Sequence, residues 1–188
     1  MKKIALILLM AFFAVSAFAQ NDETTGVRIP TGYQGFVELG NTMLHFDKDI
    51  PISLQISTTH GCHFNEHIFA GLGVAYEWTK GYNLLPIYAN IRYVVLSRTV
   101  ASPVISLRLG SYFGGNENIG AYGDLAAGVR FASKRDFAVS ILVAGTYYSK
   151  IASSYNDEWM DSQGNWHYEN VESKISLSGI AVRVGLEW

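Results

Sequence analysis

Five residues able to bind a metal crowd into one short stretch of this 188-residue chain: His60, Cys62, His63, Glu66 and His67. Imidazole, thiolate and carboxylate together can ligate zinc or copper. The spacing matches no established zinc pattern, and a period-two strand would splay alternate residues to opposite faces. Whether this turn binds metal stays open, and no metal or cofactor site is assigned. Cys62 is the single cysteine, so an intramolecular disulfide is excluded.

Nucleophilic catalysis would need a histidine oriented beside a hydroxyl and a carboxylate. His45 lies near Asp47 and Asp49, and His167 stands in a charged stretch, but no His-x-Ser-Asn arrangement is present. No catalytic residue is therefore assigned, and the expectation is that the protein is not an enzyme. A third group is more regular. Glu38, Glu77, Arg92, Arg108, Asp124, Arg130, Arg183 and Glu187 sit at matching phases of separate segments. Four arginines against four carboxylates form a neutral set, which reads as mutual pairing in a confined interior. The sharper reading is an ion path or gate.

Those phases follow from the elements that carry them. After Ile29 the chain falls into alternating segments divided by turn residues, with no long run of helical period. Eight strands are predicted, at about Tyr33–Leu44, Ile50–Thr59, Ile68–Thr79, Leu84–Leu96, Ser102–Phe113, Ala121–Ala132, Phe137–Ser149 and Lys174–Trp188. Most are longer than the ordinary strand of about 5–6 residues and suit a tilted bilayer crossing of about 9–11.

The two faces differ sharply. In the last strand Ile180, Val182, Val184, Leu186 and Trp188 share one side, and Ala181, Arg183, Gly185 and Glu187 the other. Pro103, Ile105, Leu107, Leu109 and Phe113 likewise oppose Ser106, Arg108, Gly110 and Tyr112, and Leu125 and Phe131 oppose Asp124 and Arg130. A solvated exterior would carry more charge and less glycine than the second face does. A narrow barrel with its apolar face outward fits better than a soluble barrel or sandwich. The predicted fold is thus all-β, an eight-stranded antiparallel transmembrane β-barrel spanning residues 33–188.

Composition agrees. The chain is 49% hydrophobic and 13% aromatic, with 18 glycines and 4 prolines. Its mean hydropathy of +0.14 is too low for a bundle of membrane helices. Residues 1–19 read as a secretory signal peptide: Lys2 and Lys3, an apolar run from Ile4 to Phe18, and Ala17-Phe18-Ala19 as the cleavage site. Its removal takes two lysines and no acid, leaving a mildly acidic chain with no basic patch for nucleic acid. Residues 20–32 are read as a short periplasmic segment. Residues 150–173 are read as a long outer loop, carrying Tyr155, Trp159, Trp166 and Tyr168 among acidic neighbours. Such aromatics suit either partner binding or an interfacial girdle. The connection around His60–His67 is longer than an inner turn should be.

Several stretches carry a resemblance: Thr59-His60-Gly61 with Phe64-Asn65, Phe69-Ala70-Gly71-Leu72-Gly73-Val74, Ala89-Asn90-Ile91-Arg92-Tyr93, Leu107-Arg108-Leu109-Gly110-Ser111-Tyr112 and Gly128-Val129-Arg130-Phe131. With these the chain resembles the small, porin-like outer-membrane β-barrel family abundant in Bacteroidetes. Its C-terminus is similar to the signal read by the barrel-assembly machinery, with Trp188 where phenylalanine is more usual. The resemblance implies an outer-membrane location after export. It implies contact with membrane lipid and lipopolysaccharide and assembly through the last strand, but no defined reaction. The expected role is structural or surface-interacting, with an extracellular ligand at the 150–173 region. A narrow porin-like channel is the second reading and a lipid A-modifying enzyme the third.

Overall fold

A computed structural model describes residues 29, 31–45, 52–79, 82–96, 99–114, 118–132, 137–160 and 166–188. The expected signal peptide lies outside the described residues, as do Asp47 and Asp49. Eight strands form: β1 (Gly32–His45), β2 (Ile52–His63), β3 (Ile68–Thr79), β4 (Tyr82–Val94), β5 (Ala101–Gly114), β6 (Asn118–Ala132), β7 (Ala138–Met160) and β8 (Trp166–Glu187). Each pairs antiparallel with its neighbour, and β1 pairs with β8, from Phe36↔Glu187 to His45↔Ser178. The barrel is closed. Within the barrel wall, closure leaves no strand edge unpaired, which an apolar surrounding requires.

Side-chain burial runs opposite to that of a soluble protein. Leu72 is 70% exposed and Leu125 59%, whereas Arg108 and Glu77 are 0% exposed. The outward rows read Ile105, Leu107, Leu109 on β5 and Ile180, Val182, Val184, Leu186 on β8, as the alternation predicts. Pro103 departs from its expected outward row: it is buried, and its carbonyl accepts the Val95 N–H at 2.9 Å in the β4–β5 connection.

Two boundaries differ in kind from the expected ones. First, β2 continues to His63 and pairs with β3 as far as His63↔Phe69, so the connection shrinks to Phe64–His67. Asn65 tightens it by accepting the N–H groups of His67 and Ile68, both at 2.8 Å. The unexpectedly long inner loop is therefore a short turn. Second, 150–173 is not a loop. Past a register shift between Tyr148 and Ile151, β7 and β8 run on as a ladder from Ile151↔Ile175 to Met160↔Trp166. An irregular loop of that length leaves its backbone groups to water, whereas a hairpin pairs them with one another. The shift falls where β6 stops pairing, its last β7 partner being Tyr148, and bulges characteristically mark barrel rims.

Ahead of β1 the chain is described at Ile29 and Thr31. Ile29 is buried and clusters with Val94, Val104, Ala126 and Leu142 inside the barrel. Gly32, with φ of +118°, turns the backbone between this anchor and β1. A Cβ at Gly32 would meet nothing within 4 Å, so the glycine is required by backbone conformation rather than space.

Candidate functional site

The lumen holds all eight charged residues singled out by phase. Glu38, Arg92, Arg108, Asp124, Arg183 and Glu187 are essentially inaccessible, and Arg130 is 5% exposed. They are inward because each charged residue shares its strand face with glycine, serine, alanine or other inward residues. The partners come from across the lumen: β1 supplies Glu38 to Arg92 of β4 and Arg108 of β5, β8 supplies Glu187 to Arg130 of β6, and β6 supplies Asp124 to Arg183 of β8.

Three layers result. Nearest the chain termini, the Arg130 guanidinium donates to both carboxylate oxygens of Glu187, Nε at 2.9 and 3.0 Å and Nη2 at 2.5 Å. The Gln34 amide adds a donor to Glu187 at 2.7 Å. In the middle, three guanidiniums converge on one carboxylate. Arg92 Nη2 donates to Glu38 Oε1 at 2.5 Å, Arg108 pairs with Glu38 Oε2, and Arg183 Nη1 stands 3.9 Å from the same oxygen. Arg183 also pairs with Asp124. Aromatic faces complete this layer, with Arg92 over Phe36 at 4.2 Å and Arg108 over Tyr88 at 4.9 Å.

Tyrosines form the third layer. Tyr88, Tyr112, Tyr122 and Tyr148 pack with ring centroids 5.1–5.7 Å apart. Gly73 makes room for one of them, since a Cβ there would lie 2.5 Å from the Tyr88 ring and 2.7 Å from Thr59 Oγ1. Glu77 belongs to this end. It accepts hydrogen bonds from the Ser53 and Tyr148 hydroxyls and from Gln55 Nε2 at 3.0 Å. Among the described residues, its partners are neutral donors rather than an arginine. Sequence reasoning counted Glu77 with the rest; the three neutral donors come from β2 and β7, remote in the chain, and no local signal could reveal them.

The His60–His67 cluster is split apart. His60 points outward, with its Nδ1 2.6 Å from the Tyr33 hydroxyl, its Nε2 2.9 Å from the Thr58 hydroxyl and its ring edge-on to Trp188. Cys62 shares that outer face. His63 points inward, packing on Phe69 with its Nδ1 3.3 Å from the Asn65 carbonyl. His67 bonds the Val94 carbonyl at 2.8 Å and stacks on Tyr93. Strand pleat separates His60 from His63, as period two requires. Among the described residues no three His, Cys, Asp or Glu side chains are grouped to hold a metal ion. The Thr58–His60–Tyr33 chain was not visible in the sequence, because Tyr33 comes from β1 through the register Tyr33↔Cys62. It couples a hydroxyl to an imidazole, but both of the imidazole's partners are neutral. The strand backbones at His45 and His167 are described, but their side chains are not.

No family model and no curated protein matches the sequence. Solved structures do match in shape. Neisserial surface protein A (NspA) is 11% identical, with 82% of this chain and 96% of that one covered at a TM-score of 0.59. The outer membrane enzyme PagL is 10% identical, with 80% and 97% covered at a TM-score of 0.55. The likeness is one of fold: this chain is an eight-stranded antiparallel β-barrel similar in architecture to small outer-membrane barrels.

Proposed function

We propose that the protein is an integral outer-membrane β-barrel with a structural or surface-interaction role, exported by a cleaved signal peptide, and that it is not an enzyme. One observation carries the reading: apolar side chains cover the outside of the barrel while charged and tyrosine side chains fill its inside. That arrangement is stable only where the surrounding medium is apolar. Its partners are then membrane lipid and lipopolysaccharide around the belt, and the barrel-assembly machinery at the last strand, which ends Leu186-Glu187-Trp188. The resemblance of the stretches around His60, Phe69, Arg92, Arg108 and Arg130 to Bacteroidetes-type small barrels supports the same reading.

The test is a membrane preparation. The protein should fractionate with outer membrane, migrate faster unboiled than boiled, and pass no steady current across a planar bilayer. Recovery in the soluble fraction with no heat-dependent shift overturns the membrane reading. A steady current instead favours the narrow channel, and an altered lipid A mass profile in overexpressing cells favours the enzyme.

The surface role falls to the β7–β8 hairpin. Its ten ladder pairs beyond the bulge project about 33 Å at a strand rise of about 3.3 Å per residue. Joining Ser153 to its register partner Ser173 through a two-residue Asn-Gly turn removes most of the projection and keeps the ladder in phase. The shortened barrel should fold with an unchanged heat-dependent gel shift and lose binding to the extracellular ligand. Equal binding of both forms to cells and matrix proteins would exclude the hairpin as the contact.

A further inference from the structure

The eight lumenal charges balance in number but not in space. The tyrosine layer packs on the Arg108 side of the lumen and supplies one of Glu77's three neutral donors. Below it, Arg92, Arg108, Arg130 and Arg183 face Glu38, Asp124 and Glu187. Arg130 pairs with Glu187, whose charge also reaches Arg92, and the excess positive charge is centred on the middle layer, three guanidiniums around Glu38 and Asp124.

Hydrogen-bonding capacity is skewed the same way. Among the described residues, Nε and Nη1 of Arg92, Arg108 and Arg183 and Asn90 Nδ2 have no hydrogen-bond acceptor, against Glu38 Oε2 and Asp124 Oδ1 as carboxylate oxygens without a hydrogen-bond donor, and the Tyr122 hydroxyl, which Arg108 bonds, has no acceptor of its own. All these side chains are nine-tenths or more buried. A buried donor left unpaired is costly, and a buried net charge more so. One acceptor carrying a negative charge would answer both. We propose that the middle of the lumen is a binding site for a small inorganic anion, held by Arg92, Arg108 and Arg183 with Asn90 and Tyr122. An eight-stranded barrel is just wide enough for its side chains to fill, which restricts the occupant to a monatomic ion of the chloride class. Glu38 already fills part of the arginine cradle as an internal anion, so the site takes one further charge. This rests on the membrane-barrel reading only for the solvent outside; the site itself lies within the barrel.

Equilibrium urea unfolding of the barrel in lipid vesicles tests it, in sodium chloride and in sodium gluconate of equal ionic strength. An ion that binds only the folded state raises the midpoint in a saturable way. Chloride should therefore raise the wild-type midpoint where gluconate, too large for the lumen, does not. Glu38→Gln removes the competing internal charge. It should unfold at much lower urea in gluconate, be rescued by chloride, and bind chloride at least about tenfold more tightly than wild type. Arg108→Gln, if folded by its gel shift, should lose the chloride dependence. Superimposed chloride and gluconate midpoints in both wild type and Glu38→Gln overturn the proposal, as does failure of chloride to restore Glu38→Gln. Membrane location is read separately by fractionation, so either conclusion can fail without the other.

Discussion

Arg130→Met should destabilise the barrel by about 3–5 kcal/mol, measured as the urea midpoint of protein refolded into lipid vesicles. The size comes from what remains rather than from what is removed. Glu187 is 1% exposed, and Arg130 supplies three of its hydrogen bonds. Without the guanidinium, a buried carboxylate keeps, among the described residues, the Gln34 amide as its hydrogen-bond donor. The double variant Arg130→Met with Glu187→Gln removes the stranded charge and should recover most of the loss, because replacing both members of a buried pair is often nearly neutral. Equal losses in the single and double variants would show that packing, not the orphaned charge, sets the cost.

Leu125→Arg should cost about 2–4 kcal/mol in the same vesicles, since an arginine on the lipid face is most expensive near the bilayer midplane. Leu125 stands at the middle of β6, opposite Leu107, and is more than half exposed. The size of this loss separates two readings of one geometry. If water surrounded the barrel, an exposed leucine-to-arginine change would move stability by no more than about 0.5 kcal/mol. An indifferent midpoint would thus bring back the soluble barrel.

Residue phase explains why so much of the barrel was legible. Alternation assigns each side chain to one of two faces, and the faces of β5, β6 and β8 differ so plainly that their inward charges could be named. The apolar signal also ends along β7 and β8. Ile151–Met160 and Trp166–Ile175 form paired strands whose sequence shows no sustained apolar face. A hairpin outside the belt is held by backbone ladder bonds, and those are common to every sequence. The buried Ile29 was hidden for a related reason: a single isoleucine before a positive-φ glycine has no period to reveal its destination.

The group of His60, Cys62, His63, Glu66 and His67 first suggested chemistry by proximity in the chain. Proximity along a strand is a poor guide, because adjacent residues point apart while residues on neighbouring strands meet. The sequence alone determined the number of strands, the apolar outside and the identity of the eight inward charges, all consequences of a period of two. Only the tertiary structure decided which charges meet. Register and closure bring Arg92, Arg108 and Arg183 from three strands onto Glu38 and set Glu77 among neutral donors. Pairing across a barrel depends on stagger, and stagger is set by the closed ladder as a whole rather than by any one strand.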